Sequence, residues 1–229
     1  VFDFENGELL LINKPHGWTS FDVVTSVRYA IKHYTGRKKI KVGHAGTLDP
    51  LATGLLLICT GKFTKKIMQF QNLRKEYIGT FTLGATTPSL DKETEIDQRF
   101  DISHINEEFI RETSQSFIGK IEQVPPLYSA VWIDGKRAYK YARSEEKVEL
   151  KAKFVEIKSF DITRIELPEV DFIVECSKGT YIRSLARDFG ETMKCGAFLS
   201  DLCRTRIGEF KLEDALELAE FKENLKDIK

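Results

Sequence analysis

Residues 9–12 and 55–58 are short, unbroken apolar runs, the first closed by Lys14-Pro15. Runs of this length bounded by turn residues predict buried strands. Between them Val23, Val27, Ala30, Ile31 and Tyr34 recur at helical spacing. Thr19-Ser20-Phe21-Asp22 supplies a capping box at the head of that helix, and Gly36 a stop. Residues 63–73 read as a further helix. Tyr77, Gly79, Phe81 and Leu83 alternate with Ile78, Thr80 and Thr82, which predicts a half-buried strand. The polar stretch 86–101 reads as a loop, and Ile105, Phe109, Ile110 and Phe117 mark a second amphipathic helix. Pro125-Pro126 breaks the chain before a strand over 128–133 and a short helix over 136–143. Residues 154–165 and 170–176 predict paired strands, with Val170, Phe172, Val174 and Cys176 on one face. Thr180 then caps a helix whose apolar stripe is Ile182, Leu185, Ala186, Phe189 and Met193, ended by Cys195-Gly196. Residues 198–207 read as a strand and 212–225 as a terminal helix. Strands and helices are interspersed without a βαβ rhythm, so the expected class is α+β with a mixed central sheet flanked by helices.

At 229 residues the chain is long enough to bury its own core, and residues 1–229 are expected to form one domain. No apolar run reaches membrane-spanning length and no secretory signal opens the sequence. Cys59, Cys176, Cys195 and Cys203 show no paired ligand spacing, which predicts reduced, buried thiols and a cytoplasmic location. His16, His33, His44 and His104 are too scattered for a metal site. No Walker A, dinucleotide or HExxH motif occurs, so no metal or cofactor is expected.

Charge changes the picture through its distribution. The totals cancel, 35 basic against 35 acidic. Residues 36–75 nevertheless hold nine cations, Arg37, Lys38, Lys39, Lys41, Lys62, Lys65, Lys66, Arg74 and Lys75, against the single acid Asp49. Further basic sets are Lys136, Arg137, Lys140 and Arg143, then Lys178, Arg183 and Arg187, then Arg204 and Arg206. Acids gather at Asp91, Glu93, Glu95, Asp97 and Asp101, and at the C-terminus. Segregated signs fit one cationic face toward a polyanion, although each cluster alone reads as an ordinary solvated face.

The lone acid lies in Gly43-His44-Ala45-Gly46-Thr47-Leu48-Asp49-Pro50-Leu51-Ala52-Thr53-Gly54. Neighbouring cations favour its ionised form, and a rigid glycine-bounded carboxylate suits nucleophilic or base chemistry. On spacing alone, an Asp making local turn bonds is the stronger reading. Tyr77 opens a strand and offers a ring on which a base could stack; a core aromatic is the commoner fate. Arg183 falls in the first turn of a helix, where it opposes the dipole, so a carboxylate partner such as Asp49 would account for it. A small-glycoside hydrolase would need a second acid near Asp49, and only Glu76 is at hand.

In order and nearly end to end, the motifs resemble those of the tRNA pseudouridine synthase B (TruB) family. Leu9-Leu10-Leu11-Ile12-Asn13-Lys14-Pro15-His16-Gly17-Trp18-Thr19-Ser20 resembles its first motif and residues 43–54 its catalytic motif. Lys75-Glu76-Tyr77, residues 125–130 with Gly135-Lys136, residues 177–183, and Cys195-Gly196-Ala197 with Leu202 resemble the remaining blocks. Ala45 and Phe198 depart from the family's usual Thr and His. The resemblance implies a largely antiparallel pseudouridine synthase fold and cofactor-free conversion of uridine 55 in the tRNA T loop to pseudouridine. It implies Asp49 as the catalytic aspartate, acting as nucleophile or as base, Arg183 as its partner, and Tyr77 stacking on the flipped uracil. Leu202 would pack on the base, His44 would fill the space of the everted nucleotide, and Tyr181 would lie near the pocket. Lys14 and Lys136 are expected among the RNA contacts. The implied partner is the T-arm of tRNA, bound by a monomer with no membrane or protein partner and without a C-terminal PUA domain. A non-catalytic tRNA-folding module with the same surface is the alternative.

Overall fold

The computed structural model describes residues 2–4, 6–36, 38–129, 131–133, 135–144, 148 and 150–226. Arg37 and Ala130 lie outside the described residues, as does the side chain of Arg143. The chain forms two compact units, one of Val1–Tyr77 with Leu202–Lys229 and the other of Ile78–Asp201.

In the first unit, Leu9–Lys14 pairs antiparallel with Thr53–Thr60, from Leu9 opposite Cys59 to Lys14 opposite Gly54. Val42–His44 also pairs antiparallel with Thr53–Thr60. Ala197–Ile207 enters this unit at Leu202 and runs parallel to Thr53–Thr60, with Cys203 opposite Thr53 and Arg204 opposite Gly54. The 55–58 run is continuous rather than alternating because both faces are covered. Leu56 and Ile58 join Val23, Val27 and Ile31 of the helix Ser20–Thr35 and Phe221 of the C-terminal helix. Leu55 and Leu57 pack on the other side with Ala45 and Ile207. Burying such side chains stabilises by roughly 1.5–3 kcal/mol each. The capping box forms as its sequence specifies: Asp22 N donates to Thr19 Oγ1 at 3.1 Å, and Thr19 N to Asp22 Oδ2 at 2.8 Å. Gly36 ends the helix at φ 69°, a left-handed cap.

The second unit holds the predicted pair, Lys153–Glu166 antiparallel to Glu169–Cys176, with Gly119–Gln123 on the outer side of the first. Phe81, Phe160, Phe172 and Phe189 converge beneath it, with Phe81 and Phe172 ring centroids 4.3 Å apart. The buried stripe of the helix Ile182–Thr192 supplies Phe189, Leu185 and Ala186 to that core. The strand pairings above are antiparallel apart from that at Cys203 and Thr53, with isolated parallel bridges at Ile12–Leu216 and Asp91–Leu199, so the α+β class with a mixed, largely antiparallel sheet is the architecture found.

Several boundaries differ from expectation, each for a local reason. Residues 63–73 divide into a 3₁₀ turn, Gly61–Lys66, and a short helix, Ile67–Asn72. The C-terminal helix starts only at Leu218, because Leu216 is held extended: its N donates to Leu11 O and its O accepts from Asn13 N, both at 2.9 Å. Thr180 is no helix cap; its hydroxyl donates back to Ser177 O at 3.0 Å, and Tyr181 takes the N-cap position. The 128–133 strand shrinks to Trp132–Ile133, paired with Lys136–Arg137, and the helix after it is Ala138–Arg143. The 86–101 loop opens and closes with a small ladder, Ala85–Thr86 on Gln98–Arg99. Cys59, Cys176 and Cys195 are buried, and Cys203 is partly so. No helix among the described residues is long and apolar enough to cross a membrane.

Candidate active site

Asp49 lies half-buried in the turn between Val42–His44 and Thr53–Thr60. The backbone around it is fixed at several points. Ala45 N donates to Leu57 O at 2.9 Å, and Ala52 N to Asp49 O at 3.1 Å. The buried hydroxyl of Ser20 accepts from Leu48 N at 2.8 Å and donates to Leu48 O at 3.1 Å, tying the turn to the head of its helix.

Two buried cations complete the fastening. Lys14 has no exposed surface, and its ammonium donates to Pro15 O at 3.0 Å, Trp18 O at 2.5 Å and Pro50 O at 3.2 Å. Burial pushes its pKa down to about 8; the Asp49 carboxylate pulls it up, and Arg204 pushes it down further. Arg204, only 1% exposed, donates Nε to Leu55 O at 2.8 Å, Nη2 to Gly46 O at 3.2 Å and Nη1 to Thr47 O at 3.4 Å. Hydrogen bonds to charged groups are worth about 1.5–3 kcal/mol each, and such bonds are what make two desolvated charges tolerable. Lys14 was expected to touch RNA; here its ammonium donates to Pro15 and Trp18 carbonyls in the turn after the first strand and to Pro50 O in the Asp49 turn, joining the two. Arg204 was expected on a solvated face and is instead among the largest fully buried side chains.

His44 is half-buried beside the turn, and its Nδ1 has no hydrogen-bond partner among the described residues. Desolvation lowers its pKa; a bond to the Gly46 carbonyl opposes this, and Arg204 adds to the lowering, so the ring is neutral at neutral pH. Tyr77 and Leu202 are both buried, 8% and 7% exposed. Glu76 is not free for acid chemistry: it accepts from Thr205 Oγ1 at 2.8 Å and from Arg206 Nη2 at 3.0 Å.

In the other unit, Arg183 is buried at 4% exposure in the first turn of its helix. Its guanidinium donates to Ser89 O at 3.1 Å and Tyr128 O at 2.9 Å, and its Nε lies 3.5 Å from Asp91 Oδ2. Asp91 is itself buried, although the sequence shows it only as one of five clustered acids. The same helix end is held by Gln123 Oε1, which accepts from Tyr181 N at 2.8 Å, and by Val124 O, which accepts from Ser184 Oγ at 2.8 Å. Lys136 is exposed, with its ammonium 5.4 Å from the Tyr141 ring centroid.

Sequence reasoning missed Arg204, Asp91 and Ser20. A signal existed for Arg204: it shares a strand face with Leu202, two residues away, in a stretch that reads as strand. Nothing set Asp91 apart from its acidic neighbours. Among the described residues no group of three or more His, Cys, Asp or Glu could hold a metal ion.

The fold is that of the pseudouridine synthases. A solved Cbf5–Nop10–Gar1 complex superposes with a TM-score of 0.71 at 29% identity, over 96% of this chain and 54% of that one. An H/ACA RNP bound to a substrate RNA containing 2'-deoxyuridine gives 0.67 at 26% identity, over 94% and 52%. Residues 32–182 match the TruB family pseudouridylate synthase N-terminal domain, and residues 183–228 the tRNA pseudouridylate synthase B C-terminal domain. Proteins named tRNA pseudouridine synthase B from Flavobacterium johnsoniae and Phocaeicola vulgatus are 54% and 56% identical, over 97% and 96% of this chain and 98% and 94% of their own lengths. The chain belongs to the TruB family of pseudouridylate synthases.

Proposed function

We propose that the chain converts uridine 55 in the T loop of tRNA to pseudouridine, with Asp49 as the catalytic carboxylate. The observation that carries this reading is the Asp49 turn, a carboxylate bounded by glycines whose flanking carbonyls are gripped by two buried cations. Support for the substrate comes from relatives more than half identical over nearly their whole length, which are named for tRNA.

The reaction is an isomerisation. The C1′–N1 bond breaks and a C1′–C5 bond forms; C5 gives up one proton and N1 gains one, so neither cofactor nor metal is consumed. The uridine must first be everted at a cost of a few kcal/mol. Stacking on Tyr77, worth roughly 1–3 kcal/mol, and packing on Leu202 offset part of that cost. Tyr77 also stands as the group assisting loss of the C5 proton. His44, neutral at neutral pH, takes the space of the everted nucleotide. The resemblance assigns Arg183 as the cationic partner of Asp49 and Tyr181 to the neighbourhood of the base; within its own unit Arg183 is oriented by Asp91. Lys136 contacts phosphate, whereas Lys14 acts through the loop. The T-arm is bound by a cytoplasmic monomer without a protein partner.

The test is incubation with an unmodified T-arm hairpin, followed by carbodiimide mapping. Wild type should yield pseudouridine at position 55, and Asp49→Ala none, with hairpin affinity held within about threefold, since base contacts and phosphate contacts lie elsewhere. Product from Asp49→Ala removes that residue's role. Absence of product from wild type removes the enzyme reading and leaves a tRNA-folding module.

A further inference from the structure

We infer that Arg204 is a positioning residue for the isomerisation, a backbone clamp that sets where the Asp49 carboxylate stands. The inference rests on the reading of Asp49 as catalyst. Arg204 touches neither the substrate nor Asp49's role directly; it acts through the turn.

The geometry is specific. The three contacts come from Nε, Nη1 and Nη2, and they span two separate stretches of chain. Leu55 O belongs to the Thr53–Thr60 strand that follows the turn, while Gly46 O and Thr47 O precede Asp49 by three and two residues. One planar group thus bridges the entry and exit of the loop. Arg204 is inserted from a third segment, the parallel strand Ala197–Ile207, whose backbone lies against Gly54. A guanidinium has a fixed fork and stays ionised when buried, so the distance between the two carbonyl groups is set by a rigid body. An ammonium is a single point and cannot reach both sets with that geometry.

Placement of this kind affects rate more than affinity. A displacement near 1 Å in a reacting group can cost about a hundredfold. Substrate binding relies on groups other than the turn backbone, so KM should be insensitive.

The experiment compares wild type, Arg204→Lys, Arg204→Gln and Asp49→Ala on the T-arm hairpin, with melting temperatures of each. For Arg204→Lys the expected result is a kcat loss of roughly 10- to 100-fold with KM within about threefold. Arg204→Gln, which bridges less, should lose more. A kcat unchanged in Arg204→Lys, or kcat and KM lost in parallel with melting temperature, overturns the inference. An active Asp49→Ala instead sinks the underlying reading, and the two failures are therefore distinct. Should both Arg204 variants fail to fold, Gly46→Ala reads the same contact from the loop side. Gly46 stands at φ 112°, where a β-carbon is strained although it meets nothing closer than Arg204 Nη1 at 3.7 Å, so the substitution perturbs the backbone whose carbonyl Nη2 holds. That variant should fold and lose kcat selectively; full activity would overturn the clamp.

Discussion

Gly54→Ala tests how the turn is welded to the rest of its unit. Gly54 has φ 99°, a region that costs a side-chain-bearing residue about 1–3 kcal/mol. A β-carbon at that position would also stand 2.4 Å from Arg204 O, 2.7 Å from Arg204 N and 2.9 Å from Cys203 Sγ. The first two are backbone atoms of the parallel neighbour, so no rotamer change can relieve them. The strands must part, and overpacking of this kind adds about 1–3 kcal/mol. The expected loss is therefore about 2–6 kcal/mol, a large share of a typical domain's stability. Gly36→Ala is the control, since Gly36 also has positive φ, 69°, but nothing lies within 4 Å of its missing β-carbon. It should lose only about 1–2 kcal/mol, the price of the left-handed conformation alone. Urea unfolding followed by circular dichroism gives both values. A gap between the two variants smaller than about 0.5 kcal/mol would refute the close-approach argument. Gly54→Ala should also lose activity in the folded fraction, because the displaced backbone is that of Arg204.

Two further outcomes follow from the buried charges. Asp91→Asn removes the carboxylate 3.5 Å from Arg183 Nε, so kcat on the T-arm hairpin should fall by roughly 10- to 100-fold with KM nearly constant; an unchanged kcat would show that Arg183 needs no help from Asp91. Lys14 loses its proton near pH 8 when folded but near 10.5 when unfolded, so over that window the unfolded chain binds more protons and stability rises with pH. Relative to Lys14→Met, wild type should therefore gain up to about 3 kcal/mol between those limits in urea midpoints taken at each pH. The comparison with the variant is needed because Cys59, pushed up to about 11 by burial, tilts stability the other way above pH 9. A flat difference would mean that Lys14 is not desolvated as its burial implies.

Local pattern carried much of this protein. The capping box at Thr19 and the stop at Gly36 formed as read, because both depend on bonds within a few residues. The paired strands Lys153–Glu166 and Glu169–Cys176 were legible from alternation and a short connection. Failures clustered where distant backbone competes for the same groups. Leu216 is extended rather than helical because its N–H and C=O are taken by Leu11 and Asn13. The strand read over 128–133 survives only at Trp132–Ile133, and the Tyr128 carbonyl accepts from Arg183 instead of pairing in a ladder.

The candidate site divides along the same line. The sequence by itself determined the residue types: one acid among cations, glycines around it, an arginine at a helix start, a tyrosine at a strand start. Only the tertiary structure decided which charges are solvated and which are buried. Lys14 and Asp91 look no different in one dimension from Lys65 and Glu93. Whether a long charged side chain reaches water or a carbonyl depends on what other segments place within its reach. That is fixed when strands far apart in the chain pair, as Arg204 does against Gly54.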